Sequence, residues 1–425
     1  MTRRVIELKE WETRDVRLDD ADVTALIAHP QHPAVVEPSP ARGFWRLRAQ
    51  AKVGAVRFEG FDLIVRPKAG LQNVFYLMGI ERPRDWWSSE EVDLLVHHDL
   101  FAGIARLLAH TVERAIGRGV QHGYVERREP LVALRGRIDL SKQLRHPYTL
   151  VPASCRYDDY TADTELNQLI RAALCRVLRL PGVPGTVRRT LHLQLSLLEE
   201  VSPVEPDLQW ADRWQPSRLD RRYLPAVRLS ALLLRRLVLS EAAGSTRAYS
   251  FLVDMNQLYE RFIEEGLRRR LQAADSTIRV IGQEQRHLDV ENRLMIKPDV
   301  VVRRGPSAAF VVDSKYILAG DGATHVDHHA QLLSYAIRHD IKDVALVYVL
   351  EPSLKAPATD LVTTIRHAEV RIHSWALDLT RGPPQIEVGM DDLAERVLDV
   401  CLHAEEARCV RNAAVLDGQE TLKIT

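Results

Sequence analysis

From Phe310 to Ile317 the chain reads Phe-Val-Val-Asp-Ser-Lys-Tyr-Ile, an apolar run broken by an acid and a base. Runs of this composition predict a strand buried on both faces. A charge inside such a strand costs several kcal/mol unless it is paired or holds a metal. Fourteen residues before Asp313 stands Asp299, preceded by Lys297-Pro298 and followed by Val300-Val301-Val302. A fold for this chain must gather these charges or leave two of its most apolar segments in water.

Between the two runs lies Arg303-Arg304-Gly305-Pro306-Ser307, a strong turn signal. A hairpin centred near Pro306 sets Asp299 opposite Asp313, with Cβ atoms about 4.5–5.5 Å apart. Side chains alternate along a strand, so Asp313 and Lys315 share a face and Ser314 points away. Two facing carboxylates suit Mg²⁺, and an adjacent lysine can position a nucleophile or a phosphate. This is the outline of a Mg²⁺-dependent nuclease of the PD-(D/E)xK type, with Asp299, Asp313 and Lys315 catalytic and the two aspartates metal ligands.

Glu260 is the candidate third acid and third metal ligand. It lies at the edge of the helical face formed by Leu258, Tyr259, Phe262 and Ile263, on a helix expected from Asp254 to Leu271. On the next helix, Gln331 and Tyr335 are candidate DNA contacts, as are Arg303 and Arg304 in the turn. Two other acid-x-Lys triplets, Glu7-Leu8-Lys9 and Asp340-Ile341-Lys342, lack a preceding Pro-Asp strand at hairpin spacing and read as solvated surface. The adjacent pairs His97-His98 and His328-His329 cannot both face one metal from a helix.

The rest of the chain divides into three parts. Residues 1–125 read as an α+β, strand-rich module, with strands at 44–48, 53–56 and 61–65. Ser88 and Glu91 there form a capping box opening a helix that ends near Gly117. Residues 126–245 read as mostly helical, with helices from Asp163 or Thr164 to Pro181, near 185–200 and near 222–240, and a loop from Pro203 to Pro216. Residues 246–425 read as helix, strand, strand, helix, strand, the pattern of a compact α/β domain. The pieces are Asp254–Leu271, Arg293–Val302, Ala308–Ile317, Val326–His339 and Lys342–Leu350.

Charge adds little: Lys plus Arg and Asp plus Glu number 58 each, so a DNA-handling chain of this balance relies on local basic patches or a partner. Four scattered cysteines without a Cys-x-x-Cys pair fit reduced thiols in a cytoplasmic protein. No apolar stretch is long enough to span a bilayer, and no signal peptide opens the chain. No Gly-x-x-x-x-Gly-Lys-Ser/Thr phosphate loop occurs, which argues against an NTPase.

With these residues in view, the chain resembles the McrC family, the nuclease subunits of McrBC-type modification-dependent restriction systems. The resemblance runs through Val53-Gly54, Ile64 to Lys68 and Phe75 to Met78, then Leu134-Arg135-Gly136-Arg137-Ile138-Asp139-Leu140 and Cys155 to Asn167. It continues through Pro298, Asp299, Asp313, Lys315 and Tyr316, and ends at Asp327, Gln331 and Tyr335. It implies a restriction-endonuclease-like C-terminal domain that uses Mg²⁺. It also implies an amino-terminal module through which the subunit binds an AAA+ GTPase ring and stimulates its GTP hydrolysis, while the C-terminal domain cuts double-stranded DNA carrying modified cytosine. Two readings compete with it: a freestanding PD-(D/E)xK repair nuclease, and a non-catalytic activator of an AAA+ partner.

Overall fold

The computed structural model describes residues 4–78, 100–144, 151–218, 220–241, 247–318, 326–350 and 361–421. The capping box at Ser88 and Glu91, the helix start that follows it and His97-His98 lie outside those residues. The described part of that helix is Leu100–Ile116.

Six strands form the C-terminal sheet, in the order Ile278–Gly282, Val300–Arg304, Ser307–Leu318, Asp343–Val349, Val370–Leu377 and Leu361–Ile365. The first three are antiparallel, whereas Ser307–Leu318, Asp343–Val349 and Val370–Leu377 run parallel. Helices cover both faces. Val300, Val302, Phe310 and Val312 join one core with Tyr259, Ile263 and Leu267 of the helix Met255–Ala274. Val301 and Val311 join another with Leu332, Tyr335 and Ala336 of the helix Val326–His339. This alternation is the period-two pattern of a strand buried on both sides, so the apolar runs behave as their composition requires.

The expected strand Arg293–Val302 is split into Met295–Ile296 and Val300–Arg304. Lys297-Pro298-Asp299 separates them, and Pro298 has no N–H to give a ladder. Met295–Ile296 pairs instead with Arg286–His287 in a small ribbon outside the main sheet.

A five-stranded sheet takes its strands from the start and the middle of the sequence, in the order Arg4–Lys9, Phe61–Arg66, Lys52–Arg57, Arg247–Asp254 and Leu237–Glu241. It therefore draws on both sides of the boundaries read at 125/126 and 245/246. Gly54 sits at its centre, pairing with Val65 on one side and Leu252 on the other. Against this sheet lie the helices Leu100–Ile116 and Leu224–Arg236, and Glu165–Leu178 and Gly185–Leu197 pack on them, all sharing one core.

The segment 126–245 is less uniformly helical than its composition predicts. The strands Gly123–Leu131 and Ala153–Thr161 pair along their whole length, and Arg137–Ile138 adds a short third. Their charged and aromatic side chains stay largely in solvent, so no buried stripe marked them as strands. Gly136 closes the ribbon with φ 68°, where a Cβ would strike the Arg156 carbonyl. The loop from 203 to 216 also holds a short helix, Leu208–Arg213, capped by Asp207.

Several bonds tie the two sheets together. The Tyr316 hydroxyl donates to the buried Glu10 carboxylate at 3.1 Å. Asn73 Nδ2 donates to the carbonyls of Leu379 and Arg381 at 2.7 and 2.8 Å. Met255 N donates to Ala51 O at 2.8 Å, fastening the start of the helix Met255–Ala274 to the five-stranded sheet.

Candidate active site

The hairpin register is Val300↔Val312, Val301↔Val311 and Val302↔Phe310; Asp299 stands one residue before the paired strand, and its carboxylate reaches Ser314, the neighbour of Asp313. A bulge after Val302 shifts the pairing to Arg303↔Ala308 and Arg304↔Ser307, so the turn itself is Gly305-Pro306. The two valine runs thus set the register of the acids, while the bulge absorbs the mismatch at the tip.

Asp313 is 1% exposed, and its Oδ2 lies 2.6 Å from Lys315 Nζ. Shared facing of Asp313 and Lys315 is what strand alternation requires. That oxygen makes no well-aligned hydrogen bond, so the lysine supplies charge without saturating it. Asp299 Oδ2 accepts from both the backbone N–H and the hydroxyl of Ser314, each at 2.8 Å. Ser314, expected only to point away, anchors the first acid to the strand carrying the second.

Glu260 stands beside this pair on the helix Met255–Ala274, whose N-cap Asp254 accepts from Asn256 and Gln257. Burial pushes its carboxyl up to about 7, and repulsion from Asp299 and Asp313 adds to the shift. Desolvation also raises Asp299 and Asp313, the latter further through Asp299, with Lys315 opposing both. Glu264, one helical turn beyond Glu260, adds to the field on Asp299 and pairs with Arg268.

Among the described residues no three His, Cys, Asp or Glu side chains converge as a metal cage. Glu260 flanks the Asp299–Asp313 pair, near enough to feel the charge of both aspartates and of Lys315. Its Oε2 accepts from Gln283 Nε2 at 3.2 Å. Two carboxylates nevertheless fit Mg²⁺, which keeps several waters and takes one or two protein carboxylates. A buried oxygen lacking an aligned donor and three acids with raised pKa values are what a divalent cation would relieve.

The remaining candidates separate. Gln331 and Tyr335 do join the site: Gln331 Nε2 donates to the Tyr335 hydroxyl at 2.5 Å, which donates to Lys297 O at 3.2 Å. Tyr335 is 2% exposed, so it braces the Lys297-Pro298-Asp299 turn and is too buried to touch DNA. Arg303 and Arg304 sit at the hairpin tip, about 15 Å from Asp299 at strand rise. Arg303 grips Glu284 at 3.0 Å and Arg304 grips Asp275 at 3.1 Å, so both are tied within the fold and not gathered at the acids. Ser314, Glu264 and Gln283 were missed. The Glu260–Glu264 spacing of four was a legible signal for one of them; nothing in sequence pointed to Gln283.

A pH prediction follows. With its folded pKa raised, Glu260 keeps a proton over a range where the unfolded chain has lost it. Metal-free stability therefore falls as pH rises from about 4.5 to about 7. Glu260→Gln should raise stability at pH 8 by roughly 1 kcal/mol, allowing for partial solvent screening, and change it little at pH 4.5. Urea unfolding in chelator at both pH values measures this. Equal effects at both would show that Glu260 is not held above its ordinary range.

Residues 47–349 match the sequence family described as McrBC 5-methylcytosine restriction system component. The chain is similar to the Escherichia coli (strain K12) protein described as type IV methyl-directed restriction enzyme EcoKMcrBC. The two are 20% identical over 292 residues, 64% of this chain and 81% of that protein. Its fold is similar to a chain of the Thermococcus gammatolerans tetradecameric assembly of McrB AAA+ hexamers with bound McrC. That match has a TM-score of 0.57 and 19% identity, and covers 93% of this chain and 99% of the other.

Proposed function

Because the chain belongs to the family of McrBC 5-methylcytosine restriction system components, we propose that it is the DNA-cutting subunit of such a system. The buried Asp313–Lys315 pair beside Asp299 carries this reading. An ion pair desolvated to this degree gains little for stability, so function is the better account of it. The succession of helix, three antiparallel strands, helix and parallel strand around it supports a PD-(D/E)xK domain.

Asp299 and Asp313 would hold Mg²⁺, with Glu260 supplying further negative field. When bound, the ion supplies Lewis-acid chemistry at a phosphate. Ser314 fixes the direction of Asp299. Lys315, side-chain exposure 23%, reaches solvent, and it orients the phosphate or the attacking water. Tyr335 and Gln331 hold the turn that delivers Asp299.

Nucleotide hydrolysis belongs to a partner in this reading, since the chain has no phosphate-binding loop. An AAA+ GTPase of the McrB type fits, and with it recognition of double-stranded DNA bearing modified cytosine. The balanced charge of this chain agrees with a partner that supplies most of the DNA grip.

The test reconstitutes this chain with an McrB-type GTPase and assays 5-methylcytosine DNA with GTP and Mg²⁺. Cleavage should require both proteins and both ligands. Cutting by this chain alone without nucleotide would favour a freestanding nuclease. GTPase stimulation without cutting would leave a non-catalytic activator.

A further inference from the structure

Gln283 has a left-handed backbone, φ 50°, and is exposed to solvent. Among non-glycine residues that region favours Asn, Asp and His, so a glutamine there points to something the side chain does. Its neighbours show what. Gly282 ends the strand Ile278–Gly282 opposite Val300, the residue after Asp299. Gln283 N continues the ladder by one bond, donating to Asp299 O at 2.9 Å. The chain then bends away into the ribbon Arg286–His287 with Met295–Ile296 and returns through Lys297-Pro298 to Asp299. Gln283 and Asp299 are thus the two posts of one excursion. From the same bend the Gln283 amide reaches Glu260 Oε2 at 3.2 Å.

The bend is crowded with acids. A Cβ on Gly282 would run into the Glu264 carboxylate, and Glu264 lies four residues from Glu260 on one helix. An amide is the donor that suits such a place. A lysine or arginine would occupy the cation's charge, and a carboxylate would add repulsion.

We infer that Gln283 is a positioning residue of the acid site, its N–H holding the backbone of Asp299 and its side-chain amide holding Glu260 beside the Asp299–Asp313 pair that would take the cation. This rests on the proposed Mg²⁺ site.

The test titrates Mg²⁺ by calorimetry into the full-length protein, alongside thermal unfolding and cleavage by the reconstituted complex. Gln283→Gly keeps the left-handed bend and the N–H but deletes the amide. Gln283→Asn also suits the bend, and its shorter amide falls short of Glu260. Both should unfold at the wild-type temperature, bind Mg²⁺ about tenfold more weakly, and need correspondingly more Mg²⁺ for half-maximal cleavage. Wild-type Mg²⁺ affinity in both folded variants would overturn the positioning role while leaving the nuclease reading intact. A wild-type chain that neither binds Mg²⁺ nor cuts with its partner would overturn both.

Discussion

Asp313→Asn should lower DNA cleavage by the reconstituted complex at least about 10³-fold while leaving the protein folded and able to stimulate its partner's GTPase. The substitution is nearly isosteric, so the packing of a residue 1% exposed is kept. What changes is charge. The buried oxygen next to Lys315 no longer carries its anion, and the Asp299–Asp313 pair that would hold Mg²⁺ loses half its charge. Losses of two to three orders are usual for one electrostatic group at a reacting phosphate or carbonyl. A shared metal ligand should exceed that, because the ion and the water it orients are lost together. Gel cleavage under single turnover, with GTP hydrolysis in the same tubes, reads both quantities. Cleavage within tenfold of wild type would remove Asp313 from the chemistry. Loss of GTPase stimulation together with cleavage would mark the change as structural.

The largest effect on stability should come from Gly54→Ala. Gly54 has φ 134°, outside the range of residues with a Cβ, and an added methyl would collide with the Phe251 carbonyl of the neighbouring strand. The obstacle is backbone held in a ladder on both sides, so no side chain can swing out of the way. Backbone strain and overpacking each cost about 1–3 kcal/mol, which together makes roughly 2–6 kcal/mol. The strand pairing broken is the one that joins residues 52–57 to residues 247–254. Chemical denaturation of Gly54→Ala against wild type measures it. A loss under about 1 kcal/mol would mean that the two strands separate without penalty.

The part of the site that lies within one hairpin was legible in sequence. Two valine-rich runs around a Gly-Pro turn leave few registers, and the buried pattern selects the one that brings Asp299 to the strand carrying Asp313. The helices Glu165–Leu178, Gly185–Leu197 and Val326–His339 were equally legible, because each carries its own cap or periodic apolar face. Pairings that close over long separations were not. Nothing local tells Lys52–Arg57 that its partner is Arg247–Asp254, and the exposed ribbon Gly123–Leu131 with Ala153–Thr161 has no buried stripe to announce it. Gln283 was illegible for a related reason: its role depends on a backbone bend and on a helix some twenty residues earlier. Arg303 and Arg304 show the opposite error, since a basic pair in a turn looked free for DNA until Glu284 and Asp275 appeared beside it.

The sheet shared by the start and the middle of the chain also sets a timetable for synthesis. Lys52–Arg57 leaves the ribosome with one edge paired to Phe61–Arg66 and the other open. Its second neighbour, Arg247–Asp254, is translated about 200 residues later. At 5–20 residues per second that is a wait of roughly 10–40 s. Throughout that interval the nascent chain carries an apolar, hydrogen-bond-hungry strand edge of the kind that recruits strangers. Newly made chains should therefore depend on chaperones until Arg247–Asp254 emerges, and chains terminated before it should aggregate.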